Sequence, residues 1–169
     1  MKEVIASSIE IVFPIIENWG YIGVFVVSLI TSAGLFFIPF PMAPVVFILG
    51  SIMNPVLLAV IVSVGSVIGG SFKYLVGLGG KGILEKRYSR ELSRIRNAFE
   101  KYNFFMWIIA ISLTPFPDDP VSIFCGMVKY DFKKYFLGML IGRFILNLIL
   151  AIAGYYSIVS IFKFFGVVF

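Results

Sequence analysis

The sequence predicts an all-α integral membrane protein: an inverted repeat of two re-entrant, proline-broken helical hairpins, with long transmembrane helices and surface amphipathic helices. Three observations lead there. The 169-residue chain is 60% hydrophobic, with a mean hydropathy of +1.01, against roughly 45–50% apolar residues in soluble domains. The motif Pro39-Phe40-Pro41-Met42-Ala43-Pro44-Val45 returns 76 residues later as Pro115-Phe116-Pro117-Asp118-Asp119-Pro120-Val121, and the same spacing carries Gly50 onto Gly126. The net charge is +5, and residues 81–102 alone carry seven basic and three acidic side chains, or +4 of it.

A proline inside a helix removes a backbone donor and clashes with the preceding turn. In lipid, such damage is tolerated only where protein or a wet cavity satisfies the freed groups. Pro39, Pro41 and Pro44, and then Pro115, Pro117 and Pro120, therefore read as the broken tips of two hairpins that line a cavity.

Taken in order, residues 1–18 form an interfacial helix, with Glu3, Glu10 and Glu17 recurring every seven residues on one face; Pro14 is a candidate bend. The first long apolar run starts only at Gly20, after Glu3, Glu10 and Glu17 rather than after a basic stretch, so a cleavable signal is not expected. Residues 20–53 form hairpin 1. Its first arm, 20–38, is long enough to cross a membrane, but the matching arm Phe104 to Thr114 has only 11 residues, where a crossing needs about 20. A shared fold makes both arms half-depth; a full crossing at 20–38 is the alternative.

Residues 56–78 are a transmembrane helix with a small-xxx-small pair, Gly65 and Gly69, suited to close helix packing. Gly77, Gly79, Gly80 and Gly82 are expected to stop it. Residues 81–102 then read as a basic amphipathic helix, with Leu84, Tyr88, Leu92, Ile95, Phe99 and Tyr102 at helical spacing. The positive-inside bias makes it cytoplasmic.

Residues 104–128 form hairpin 2. The basic cluster Lys129-Tyr130-Asp131-Phe132-Lys133-Lys134 follows. A hairpin that dips and returns puts this cluster on the same side as 81–102; a full crossing puts it opposite. Residues 135–157 are a second transmembrane helix, with Gly138 and Gly142 as another small pair, and 158–169 are an apolar tail. One crossing between the hairpins inverts the second copy, so the two breaks meet near the midplane, an arrangement that transporters use.

The charged and strongly polar residues inside this frame are the candidate substrate-binding and proton-coupling groups: Asp118, Asp119, Arg143, Lys73 and Asn147. Adjacent carboxylates buried in low dielectric hold a proton more tightly than exposed ones. Asp119 before Pro120 also matches a helix start. Arg143 costs roughly 2.5–3.5 kcal/mol at a helix centre on insertion scales. It calls for a partner, with Asp118 or Asp119 the obvious one, and its planar fork suits a phosphate. A structural salt bridge and snorkelling to the interface are the plainer readings, and snorkelling applies equally to Lys73. The glycine pairs and Cys125 read as packing positions. With one cysteine and no histidine, neither a disulfide nor a metal site is expected, and no cofactor is. Nothing resembles a phosphate-binding glycine loop or a Ser-His-Asp set, so an enzyme is not expected.

The residues resemble the DedA family of VTT-domain membrane proteins. The likeness rests on Phe37-Ile38-Pro39-Phe40-Pro41 with Gly50, on Gly65 to Gly80 with Tyr74, and on Thr114 to Pro120 followed by Gly126, Phe136 and Gly142-Arg143. Together these span roughly residues 30–155. The resemblance implies facing re-entrant hairpins and movement of polyprenyl phosphates or phospholipids between leaflets, often dependent on the proton gradient. This chain departs from the best-studied bacterial pattern. It has Met42-Ala43 where that pattern has an acid, and Thr114 and Pro120 where it has arginines.

The function expected is a lipid flippase or scramblase in the plasma membrane, with a phosphate-bearing lipid as partner, the bilayer as medium and no nucleic acid. The sequence sets no oligomeric state. Two alternatives stand beside it: a non-transporting scaffold that docks a partner or anionic lipid through 81–102, and a proton-coupled small-solute transporter.

Overall fold

The computed structural model describes residues 2–33, 42–101, 103–114 and 119–164, with side chains at 14, 16, 18–33, 42–79, 103–114 and 120–157. Pro39, Pro41, Pro115, Pro117 and Asp118 lie outside these residues, as do the side chains of Asp119 and of 81–102. Six helices follow in order: α1 (Lys2–Ala33), α2 (Met42–Gly50), α3 (Pro55–Lys101), α4 (Phe104–Ser112), α5 (Asp119–Met127) and α6 (Phe132–Phe164). No strand occurs among the described residues.

Local chemistry sets the visible boundaries. Within α1 the break is at Gly20 (φ 52°, ψ −126°), a left-handed conformation that a side chain would strain. Pro14 stays inside the helix, and Asn18 Nδ2 donates to its carbonyl at 2.9 Å. Asn54 caps α3: its Oδ1 accepts from the N–H groups of Val56 and Leu57 at 3.0 and 3.3 Å. Pro55 takes the first helical position, where no donor is needed. α5 ends with Lys129 in the left-handed region (φ 56°). There Tyr130 N–H donates to Cys125 O and Lys129 N–H to Gly126 O, the bond pair of a Schellman ending. Asp131 then caps α6, its Oδ1 accepting from Lys134 N–H at 3.0 Å.

The first span ends at Gly79, but Gly77, Gly79, Gly80 and Gly82 do not interrupt the helical backbone bonds. α3 continues through them to Lys101. A glycine weakens a helix by roughly 1 kcal/mol against alanine; it does not block one, and strong helix formers follow. The stretch 81–101 does not extend the span as one straight rod: Tyr74 bonds the Tyr130 carbonyl and Phe104 packs on the Tyr130 ring, so the chain has turned back by Phe104. The tail after 157 extends α6 as far as Phe164.

Glycine contacts fix how the helices pack. Gly65 meets Phe25 and Ser28 of α1, and Gly69 meets Leu29, Ser32 and Ala33. The second half of α1 therefore runs parallel to α3. Gly138 meets Phe105 and Ile108 of α4, and Gly142 meets Ile109 and Ser112, so α4 runs parallel to α6. Ser63 pairs with Asn147 while Tyr74 stacks on Tyr135, so α3 and α6 run antiparallel. The arms α1 and α4 thus point in opposite directions.

The short helices after each proline cluster cross over. α2 packs on α6, with Gly50 against Ala151 and Gly154 against Phe47. α5 packs on α3, with Gly126 against Tyr74 and Gly77 against Ile123. Each long helix thus holds its own first arm and the other half's second arm.

Both short-arm units close on themselves. Asn54 N–H, after α2, donates to the Tyr21 hydroxyl, just after the Gly20 break, at 3.1 Å. The Phe104 and Tyr130 rings, at the start of α4 and after α5, meet edge-on with centroids 5.4 Å apart. Two cores result. One joins Val24, Val46, Leu49, Leu58 and Ala151 at the Tyr21 end. The other joins Val67, Tyr74, Ile108, Cys125, Tyr135 and Met139 at the Tyr130 end.

Two predictions follow from this packing. Gly126→Val and Gly154→Val would drive a side chain into the facing backbone. Overpacking costs about 1–3 kcal/mol, so both should lower the melting temperature in detergent and broaden the size-exclusion peak. Gly79→Ala meets nothing within 4 Å and should leave both unchanged. The second concerns Asp131. Its bond from Lys134 N–H, with help from Lys133 N–H and both ammonium charges, holds its carboxyl below the usual carboxylate range. A depressed folded value means stabilisation that is present at neutral pH and lost as pH falls below about 4 through that value. Asp131→Ala should therefore lower the melting temperature at pH 7, with the gap to wild type closing in acid.

Candidate functional site

The bundle is apolar outside and, between its two apolar cores, buries a set of polar side chains. Phe72, Leu75 and Val76 of α3 are exposed, and α6 exposes Leu137, Ile141, Ile145, Ile149, Ile152 and Tyr156 in one stripe. Buried instead are Ser28, Ser63, Ser66, Lys73, Ser112, Ser122 and Asn147. A protein in water buries such stripes; in a bilayer the lipid covers them. Among the described residues, two helices are long and apolar enough to cross: Pro55–Gly79 and Phe132–Ser157.

The polar interior lies along the α3–α6 contact. Asn147 is buried and its Nδ2 donates to Ser63 Oγ at 3.0 Å. Ser66 Oγ donates to the Ser63 carbonyl at 3.0 Å. Further along, the fully buried Tyr135 hydroxyl donates to Ser122 Oγ of α5 at 2.8 Å, with the Gly70 carbonyl 3.4 Å away. Tyr74 Oη donates to the Tyr130 carbonyl at 2.6 Å. Ser112, at the end of α4, donates to its own Ile108 carbonyl and touches Met139 Sδ. Every fully buried side-chain oxygen and nitrogen among the described residues has a hydrogen-bond partner.

The predicted cations fall on this interior. Arg143 is half-buried and follows Gly142, whose backbone lies against Ser112 and Ile109 in the last turn of α4. Arg143 therefore sits beside the point where the chain leaves α4 for the second proline cluster. Asn147 is one turn further along the same face of α6. Lys73 is buried, 6% exposed. It lies one turn from Gly69, against Ala33, and one turn from Gly77, against Ile123. It therefore stands between the last turn of α1, before the first proline cluster, and α5, after the second. With Ser63 level with Asn147, Lys73 and Arg143 are roughly 9 Å apart along the axis, within reach of two long side chains.

The backbone of Asp119 opens α5, three residues before Ser122, which places the start of α5 near Gly70 and Tyr135. Pairing of Asp118 or Asp119 with Arg143 lies outside the described residues. Pro44 and Pro120 are both exposed, near the starts of α2 and α5. Cys125 is buried. No cluster that could hold a metal ion occurs among the described residues.

Reading the sequence missed the hydroxyl partners: Ser63 for Asn147, and Ser122 with Tyr135. A tyrosine and serines within apolar helices are the only local signal. Their partners come from other helices.

An apolar exterior, two spans and a buried polar seam define the class: an all-helical integral membrane protein. The family model of the VTT domain matches residues 40–156, well over half of the chain, and the protein belongs to the DedA family that carries this domain. Comparison with curated proteins and with solved structures finds no match.

Tyr135→Phe tests the seam. It removes the buried hydrogen bond from Tyr135 to Ser122 Oγ, a loss of about 0.5–1.5 kcal/mol, and should lower the melting temperature in detergent. Leu137→Phe, on the exposed stripe, should not.

Proposed function

We propose that this protein moves a phosphate-bearing lipid, a polyprenyl phosphate or a phospholipid, between the leaflets of the plasma membrane. In this reading 20–53 and 104–128 are re-entrant hairpins and the chain is an inverted repeat. The observation that carries it is the closure of both units at opposite ends of the bundle. Tyr21 meets Asn54 at one end, and Phe104 meets Tyr130 at the other. The arms α1 and α4 approach from these opposite ends and stop beside Gly69 and Gly142, near the middle of the two spans. Short arms that enter and leave on one side support half-depth hairpins rather than full crossings.

The proline clusters then meet at mid-membrane, flanked by Arg143 and Lys73 and lined by Asn147. A lipid phosphate at this depth needs a cation, and the fork of Arg143 supplies paired donors. Asp118 and Asp119 compete with the phosphate for the cations when ionised and release them when protonated. This links headgroup passage to protons. The segments 81–102 and 129–134 lie on the cytoplasmic side, as the positive-inside bias favours.

The test is lipid flipping in reconstituted liposomes, followed with a fluorescent phospholipid and with a polyprenyl phosphate. Arg143→Ala should reduce transport at least tenfold, with folding checked by the melting curve. The Asp118→Asn/Asp119→Asn protein should keep transport and lose its dependence on pH. A wild-type rate in Arg143→Ala, or an unchanged pH dependence in the double variant, would refute the mechanism.

A further inference from the structure

The fold gathers positive charge at one end. Tyr74, near the end of the first span, bonds the Tyr130 carbonyl, and Phe104 packs on the Tyr130 ring. The chain that leaves the span at Gly79 is thus back at the same end by Phe104. Both ends of the basic stretch 81–102 are anchored beside the turn 129–134. By sequence the two segments carry +4 and +2 of a chain total of +5, and everything else sums to −1. In the turn, Lys129, Lys133 and Lys134 are all exposed. Asp131, the one acid there, accepts the α6 backbone bond.

The same end exposes aromatic side chains. Trp107, one turn into α4 from Phe104, is 59% exposed, and Phe132 is 44% exposed. Such rings settle at the headgroup level of a bilayer. Phe132 lies in the same turn as the three lysines, between Lys129 and Lys133. The opposite end has exposed Trp19, Tyr155 and Tyr156, but no such lysine cluster among its described residues.

We infer that the α5–α6 turn, with Lys129, Lys133 and Lys134 beside Trp107 and Phe132, is a binding face for the headgroups of anionic phospholipids in the leaflet at this end. Charge complementarity selects them: each basic side chain near such a surface gains about a factor of five in affinity. These are resident lipids of the surrounding leaflet, held at the rim of the second hairpin. The site stands whether or not the chain transports lipid.

The experiment reads one tryptophan at a time, since the chain has two. Trp19→Phe protein, with Trp107 as reporter, is reconstituted in phosphatidylcholine containing a minor fraction of brominated phosphatidylglycerol or brominated phosphatidylcholine. Brominated phosphatidylglycerol should quench Trp107 more strongly, and added salt should weaken the difference. Adding Lys129→Gln, Lys133→Gln and Lys134→Gln should lower the relative affinity by on the order of a hundredfold, three factors of about five. Trp107→Phe protein, which reports from Trp19, should show no preference. Equal quenching of Trp107 by both lipids overturns the proposal. So does a preference that survives the triple substitution. Circular dichroism confirms that each variant is folded. No transport rate enters the readout, so failure here leaves the flipping mechanism standing.

Discussion

Backbone-to-backbone contact at glycine holds this molecule together. Gly50 against Ala151, Gly154 against Phe47, Gly126 against Tyr74 and Gly77 against Ile123 press the short helices α2 and α5 onto long helices of the opposite half. In a bilayer the lipid is as apolar as leucine, so burying leucine drives little association. Close approach of small residues supplies dispersion contacts instead. Because the short helices are exchanged, neither half completes its packing alone. The two hydrophobic cores follow from this exchange: one takes Ala151 from α6, the other takes Val67 and Tyr74 from α3.

That packing leaves a polar seam along α3 and α6. Asn147 and Ser63 satisfy each other, as do Tyr135 and Ser122. A buried polar group without a partner is costly in an apolar medium, so these pairs also fix the register of the helices. Lys73 and Arg143 occupy the same seam next to the helix ends that lead into the proline clusters. Fold and chemistry share these positions: the glycines that let α1 and α4 approach also carry the cations to the tips of the arms.

Much of this was legible from residues alone. The repeated Pro-Phe-Pro-x-x-Pro-Val and the matched Gly50 and Gly126 marked two related units. Gly65/Gly69 and Gly138/Gly142 marked the packing faces of the two spans. Gly77 to Gly82 leave the run of helical backbone bonds intact, since glycine propensity is a weak local term, while the chain past them returns to the end it left. The hydroxyl pairs were invisible, since Ser63 and Asn147 lie 84 residues apart, and no local pattern links them.

By itself the sequence determined the medium, the two membrane-capable spans, the proline-interrupted repeat and the uneven charge. Hydropathy, backbone-breaking residues and formal charge act residue by residue, so they can be read without coordinates. The tertiary structure decided that the short helices are exchanged between halves and that Lys73 is buried rather than reaching an interface. It also brought the turn 129–134 to the same end as the basic extension of α3. Those outcomes depend on which helices touch, and contact between residues far apart in the chain is set by close packing of the whole bundle.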